Sequence, residues 1–336
     1  MTAPTLVVGP SWVGDMIMAQ SLFKQLQIDT QGPIDVLAPP WSLPVLARMP
    51  EVRRGIALPI GHGELGLGTR RRIGRSLRAE GYRQAIVLPR SAKAALVPWH
   101  ANVPQRTGFR GEMRFGLIND IRPFDRSVLD QTVKRFVALG LKRNQPLPAS
   151  LPTPKLLSDA NEQRAVHDAL GLQSDQPTIA LLPGAEYGPA KCWPHAHFAA
   201  LASALRDRGF QVCIVGGPAD RPAGDSIVAA SDGAATNLCG ETTLAQAVDL
   251  LAGCEIAVTN DSGLMHMAAA VGTHVIALYG STSPDFTPPL TTAADVLTLA
   301  LDCSPCFKRE CPLGHLNCLQ QLTPQMVLAR TLAATE

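Results

Sequence analysis

With 336 residues the chain exceeds one ordinary core and suits two domains of about 150 residues each. Its composition, 46% hydrophobic and 17% charged, is that of a soluble globular protein; it has no apolar run of about eighteen residues and no signal-peptide pattern, which excludes a membrane-spanning chain and leads to the expectation of a cytoplasmic one. The net charge of +2 conceals a split: residues 1–155 carry 22 Lys and Arg against 10 Asp and Glu, a balance of +12, whereas 156–336 carry 8 against 18, a balance of −10, so the first half seeks an anionic partner.

Residues 5–8 form a short apolar run closed by Gly9-Pro10, followed by Gly14-Asp15 and a helical spacing of Ile17, Leu22 and Leu26: strand, loop, helix. The loop Gly9-Pro10-Ser11-Trp12-Val13-Gly14-Asp15 lacks the Lys-Ser/Thr of a phosphate-binding P-loop and the third glycine of a dinucleotide fingerprint, which argues against nucleoside-triphosphatase and dehydrogenase chemistry. What remains is a carboxylate at a helix start. Asp15 can complement the helix dipole there, worth about 0.3–1 kcal/mol, or serve a reaction, and the loop alone leaves both open. Strand-to-helix handovers recur at 34–38 with 42–49 and at 85–89 with 92–100, the alternation of a parallel sheet with right-handed crossovers. The basic excess lies in Arg70, Arg71, Arg72, Arg75, Arg78 and Arg83, and in Arg106, Arg110 and Arg114. Solvated helix faces, an acidic substrate or an anionic membrane surface would each account for it; nucleic acid is not expected, because neither a recognised motif nor interleaved aromatic residues accompany the charge.

From 141 to 158 the chain turns proline-rich, with Pro146, Pro148, Pro152 and Pro154, which places a linker there and predicts domains of 1–157 and 158–336. A second alternating series follows, with strands at 178–182, 211–215, 256–259 and 274–278 and helices at 195–208, 244–252 and 263–271. After its first strand comes Leu182-Pro183-Gly184-Ala185-Glu186-Tyr187-Gly188-Pro189-Ala190-Lys191-Cys192-Trp193-Pro194, either a surface loop or a glycine-rich approach that brings the compact charge of Lys191 to a diphosphate. After the strand at 256–259, Asn260-Asp261-Ser262-Gly263 opens a helix crowded with small residues. Its first turn reads as plain N-capping by Asp261 or Ser262, as an anion site, or as both; His266 reads as a packing or hydrogen-bonding residue rather than a base. Four cysteines, Cys303, Cys306, Cys311 and Cys318, crowd sixteen residues with His315, and a structural metal or redox site, free thiols and disulfides are all open for them. Residues 324–333 read as an amphipathic helix with the option of packing back on the first domain.

Two doubly wound sheets bind ligands beyond the carboxyl ends of their strands, so these loops should line a cleft between the two domains. Asp15 from one domain would face Lys191 and the 260–263 turn from the other. That suits a group transfer in which Asp15 takes a proton from an attacking hydroxyl, while the leaving diphosphate is stabilised by Lys191 and backbone amides.

The segments Gly9–Asp15, Leu96-Val97-Pro98 with 106–113, Pro183–Lys191, and Thr259–His266 with 283–289 resemble the ADP-heptose:lipopolysaccharide heptosyltransferases of glycosyltransferase family 9, in their type II branch, over nearly the whole chain. The resemblance implies a GT-B fold, two Rossmann-like domains facing across a cleft. It implies an inverting transfer of L-glycero-D-manno-heptose from ADP-heptose to the first heptose of heptosyl-Kdo2-lipid A, at or near the cytoplasmic leaflet of the inner membrane, with no cofactor beyond the donor. The implied residues are Asp15 as base; Lys191, Gly184, Ala185, Asn260, Asp261, Ser262, Gly263, His266 and the adenine-side segment Gly240-Glu241-Thr242 at the donor; and Trp12, Gly14, Arg70, Arg71, Arg106 and Arg110 at the acceptor. The four-cysteine segment departs from the best-known members, several of which lack it, so the transfer itself would need no metal. A nucleotide-sugar-binding module without catalysis and a GT-B epimerase are the alternatives.

Overall fold

The computed structural model describes residues 3–61, 63–173 and 175–335. The chain divides into two compact units, Met1–Pro154 and Lys155–Glu336, the break falling in the proline-rich stretch three residues before the expected boundary.

The first unit runs β1 (Thr5–Val8), α1 (Val13–Thr30), β2 (Ile34–Ala38), α2 (Leu43–Leu46), β3 (Val52–Ala57), α3 (Leu67–Ser76), β4 (Gln84–Val87), α4 (Leu96–His100), β5 (Gln105–Phe109), β6 (Asp120–Arg122) and α5 (Thr132–Gly140). Its six strands are all parallel, in the order β3-β2-β1-β4-β5-β6. A parallel strand covered on both faces must be apolar almost throughout, and the central strands obey this: Thr5-Leu6-Val7-Val8 is wholly buried. Helix α5 lies against α1. Gly140 makes that close approach feasible, since a Cβ there would come within 2.4 Å of Leu22 Cδ1.

One charge interrupts the apolar pattern. Asp35 of β2 is fully buried, and the adjoining edge strand supplies two of its partners. Arg53 donates from Nε to Asp35 Oδ1 at 2.8 Å and from a terminal nitrogen to Oδ2 at 2.5 Å, Arg54 Nε donates to Oδ2 at 3.1 Å, and the Tyr82 hydroxyl also donates to Oδ2. Burial pushes the Asp35 carboxyl upward, but the hydrogen bonds from Arg53 and then Tyr82 outweigh it and leave the group below its ordinary value of 3.8. A depressed native carboxyl contributes stability that is complete above the ordinary value and is lost as pH falls through the lower native one. Asp35→Asn is therefore expected to cost about 2 kcal/mol at neutral pH, with the gap to the parent narrowing in acid. Urea unfolding at the two conditions measures this, and a gap that does not change with pH would refute the assignment.

The second unit runs α6 (Ala160–Ala169), β7 (Thr178–Leu182), α7 (His195–Arg206), β8 (Gln211–Ile214), α8 (Arg221–Ala230), β9 (Thr236–Asn237), α9 (Leu244–Ala252), β10 (Ile256–Asn260), α10 (Gly263–Val271), β11 (His274–Tyr279), β12 (Ala294–Thr298), α11 (Asn317–Gln320) and α12 (Pro324–Ala333). Its sheet, β12-β11-β10-β7-β8-β9, is again parallel and repeats the strand order of the first unit. The core gathers Ile179, Leu181, Phe198, Ile214, Val258 and Ile276 around fully buried Trp193. Helix α12 docks on its own unit, against α7 and β11, and buries Val327 in this core.

Candidate active site

In a doubly wound sheet the order of strands reverses at one point, and ligands bind beyond the carboxyl ends there. The first sheet reverses between β1 and β4. Gly9 follows β1 directly and donates its N–H to Leu37 O at 2.9 Å. A Cβ on Gly9 would meet Met16 Cε at 2.7 Å, so the loop is folded tightly onto α1. Trp12 precedes the helix in an extended conformation and is 49% exposed, Gly14 is buried, and Asp15 is half-buried in the first turn. The carboxylate thus stands at the switch point of its sheet and at the positive end of an 18-residue helix.

The second sheet reverses between β7 and β10, and the loops after those strands meet. Lys191 Nζ lies 2.6 Å from Asp261 Oδ2 and also donates to Asp261 O at 3.1 Å. Thr282 donates to the same Oδ2 at 2.6 Å and Thr287 to Oδ1 at 3.4 Å. Both charges are largely buried, with side-chain exposures of 15% for Lys191 and 5% for Asp261. The Tyr187 ring lies 5.4 Å from the ammonium. Ser262 caps α10, its hydroxyl accepting from Met265 N at 3.4 Å, which leaves the amides of the first turn and the positive helix end beside the lysine. Buried His266 is pushed down to about 4 by burial, Asp261 pulling it up and Lys191 pushing it down, so the ring is neutral at physiological pH.

Asn260 has a supporting part. Its Oδ1 accepts from Trp193 N at 3.0 Å and its Nδ2 donates to Pro183 O at 2.7 Å, so it ties the loop after β7 to the end of β10. Gly184 leaves room for Asp220, whose Oδ1 would be 2.6 Å from an added Cβ. In the segment expected on the adenine side, Gly240 adopts φ +78°, and Glu241 pairs with Arg221.

The sequence profile of glycosyltransferase family 9 (heptosyltransferase) matches residues 70–317. The chain belongs to this family. Across 333 residues, 96% of each chain, it is 48% identical to lipopolysaccharide heptosyltransferase 2 of Escherichia coli K12, and across 338 residues, 97% of each, 43% identical to lipooligosaccharide heptosyltransferase 2 of Haemophilus influenzae. The solved structure of E. coli ADP-heptose LPS heptosyltransferase II superposes with a TM-score of 0.90 at 45% identity, covering 98% of both chains. The family 9 chain is a glycosyltransferase with the GT-B fold.

Two of the residues expected at the acceptor of this family 9 enzyme, Arg70 and Arg106, are engaged with backbone carbonyls of their own unit. Arg70 is buried and donates from Nε to Leu65 O at 2.7 Å. Arg106 donates to Leu117 O at 2.7 Å, Val103 O at 2.6 Å and Gly116 O at 3.0 Å, and Arg114 is similarly tied to Pro89 O and Phe109 O. Arg71 and Arg110 are exposed. Arg71, Arg75 and Arg78, one stripe along α3 and the turn after it, line an open groove of about 790 Å³ with Trp99 and His100.

Among the described residues no group of three or more His, Cys, Asp or Glu is disposed to hold a metal ion, and the eight cysteines are free thiols. Of the readings left open for Cys303, Cys306, Cys311 and Cys318, the structure has them as free thiols in one neighbourhood, where burial and then Cys303, Cys311 and Cys306 push the Cys318 thiol up. Cys318 is buried in the core beside Leu319, and Cys311 Sγ accepts the Leu316 N–H at 3.4 Å. Thr282, Thr287 and Arg309 were not foreseen as site residues; the sequence signals were the resembling segment 283–289, which holds Thr287, and the hydroxyl run Ser281-Thr282-Ser283 shortly after β11.

Proposed function

We propose that this family 9 enzyme transfers L-glycero-D-manno-heptose from ADP-heptose to the first heptose of heptosyl-Kdo2-lipid A. The observation that carries the reading is the buried Lys191–Asp261 pair beside the start of α10, at the switch point of the second sheet. Two of the three ammonium protons go to Asp261, and the third is directed to the donor diphosphate together with the first-turn amides. Asp15 is the general base. It takes the proton of the acceptor hydroxyl as the oxygen attacks C1 of the heptose; the C1–O bond breaks, its electron pair leaves with ADP, and the anomeric centre inverts. Gly184, Ala185, His266 and the segment 240–242 contact the donor, His266 as a neutral hydrogen-bonding group, and Trp12 and Gly14 border the acceptor. The identity to proteins named heptosyltransferase 2 supports the choice of sugar and acceptor. Incubation of the purified protein with ADP-heptose and heptosyl-Kdo2-lipid A should add one heptose to the mass of the acceptor. An unchanged mass, with ADP-heptose intact, rejects the proposal.

No helix of the described residues is long and apolar enough to cross a membrane. The groove formed by Arg71, Arg75 and Arg78, with Trp99 45% exposed beside it, supports peripheral attachment to an anionic leaflet on the cytoplasmic side of the inner membrane. Replacing the three arginines by Gln is expected to reduce sedimentation with phosphatidylglycerol vesicles by at least about tenfold at low salt, each arginine contributing roughly 1 kcal/mol. Sedimentation equal to the parent's would remove the groove from membrane contact.

A further inference from the structure

The loop that carries Lys191 is gripped by a segment more than a hundred residues away in sequence. Arg309 donates from Nε to Tyr187 O at 2.7 Å and accepts the Ala190 N–H on its own carbonyl at 3.1 Å. The Tyr187 hydroxyl donates to Phe307 O at 2.9 Å. Gly188, between them, adopts φ +155°, and a Cβ there would lie 2.5 Å from Arg309 O, so the two backbones touch at a position that only glycine fits. The Lys191 N–H in turn donates to Gly188 O at 3.1 Å. The Tyr187 ring takes the Arg309 guanidinium at 5.7 Å and the Lys191 ammonium at 5.4 Å.

The gripping segment is itself fixed to the end of β11. Phe307 N–H donates to Ser281 O at 2.7 Å and Ser304 Oγ donates to Gly280 O at 2.6 Å. The next residue, Thr282, donates to the carboxylate that holds Lys191. Both sides of the Lys191–Asp261 pair are therefore referred to one point, residues 280–282: Asp261 through Thr282, and Lys191 through Arg309, Tyr187 and Gly188. A lysine side chain has four rotatable carbons and no directional fork, so its usefulness at a phosphate depends on what confines it.

We propose that Arg309 is a positioning residue that, through Tyr187 and Gly188, sets the place of the Lys191 ammonium at the donor diphosphate; the inference rests on the reading of Lys191 given above. Arg309 need not touch the donor. Its loss loosens the loop and leaves acceptor recognition intact, because every group it holds belongs to the loop after β7.

The test is a kinetic cycle on the full-length enzyme. Arg309→Ala is expected to lower kcat/KM for ADP-heptose about tenfold and Tyr187→Phe about threefold, with the acceptor KM unchanged. Lys308→Ala, which removes the neighbouring charge and leaves the grip intact, keeps parental donor kinetics. In a Lys191→Met background neither Arg309→Ala nor Tyr187→Phe lowers kcat/KM further, since the group they position is gone. A further fall of about tenfold in that background would mean general damage to the unit and overturns the proposal, as do parental donor kinetics for both single variants. Should Arg309→Ala fail to fold, the milder Tyr187→Phe, which removes one hydroxyl, carries the same cycle alone. If Lys191→Met itself keeps parental donor kinetics, the reading of Lys191 falls and this inference with it; if Lys191→Met is impaired and the other two are not, only the inference falls.

Discussion

Asp15→Asn is expected to lower kcat about a thousandfold, within the range contributed by a positioned general base, while ADP binding and the fold stay close to those of the parent. The substitution keeps the size of the side chain and one acceptor oxygen, turns the other oxygen into an NH2 donor, and removes the charge together with the ability to take a proton. Asp15 also stands in the first turn of α1, where its charge complements the helix dipole by about 0.3–1 kcal/mol. The two roles separate cleanly in the measurement. If Asp15 were only a helix charge, the variant would lose at most a few degrees of melting temperature and would turn over at nearly the parental rate. Rapid-quench turnover together with calorimetric ADP titration distinguishes the cases, and a kcat within a few-fold of the parent's would take the base role away from Asp15.

The second large effect is expected at Lys191. Lys191→Met removes the ammonium proposed to meet the leaving diphosphate, and kcat/KM for the donor should drop by about 10²–10³-fold, the size seen when one preorganised electrostatic group is lost. It should also destabilise the protein. Asp261 is left buried with only the hydroxyls of Thr282 and Thr287, and breaking a buried pair from one side costs about 3 kcal/mol. Neutralising the partner separates structure from chemistry. The double variant Lys191→Met/Asp261→Asn should regain most of the lost stability, because no uncompensated charge remains, and it should stay as slow as the single variant. Urea unfolding and donor titration of the three proteins check both halves. Recovery of activity in the double variant would show that Lys191 acts only by satisfying Asp261.

What could be read from the sequence follows the physics of parallel sheets. The inner strands announced themselves because both faces are covered, so 5–8, 34–38, 178–182 and 256–260 are apolar runs closed by turn residues. The edges did not. Val52–Ala57 carries Arg53 and Arg54 on an exposed strand, and Thr236–Asn237 is only two residues long; such strands are recognised by backbone pairing, which leaves no hydrophobic pattern. The same division holds at the site. Asp15, in the first turn of the helix after β1, and Lys191 and Asp261, in the connections after β7 and β10, follow central strands, where the topology makes ligand contact the default. Arg70 and Arg106 were expected at the acceptor from the resemblance and the basic charge of the first half, and neither tells a guanidinium that also satisfies backbone carbonyls from one that faces solvent. Arg309 was invisible for another reason: its importance arises only when the chain returns to the loop it left 120 residues earlier.

Asn260 joins the two strand-end loops of the second unit through one accepted and one donated hydrogen bond, both buried. Loops stitched in this way are already ordered before any nucleotide arrives. If ADP binds there as proposed, little conformational entropy is left to lose, so the free energy of its phosphate contacts goes into affinity rather than into immobilising the polypeptide. The surface proposed to receive the leaving group is, in this respect, closer to a mould than to a hand that closes.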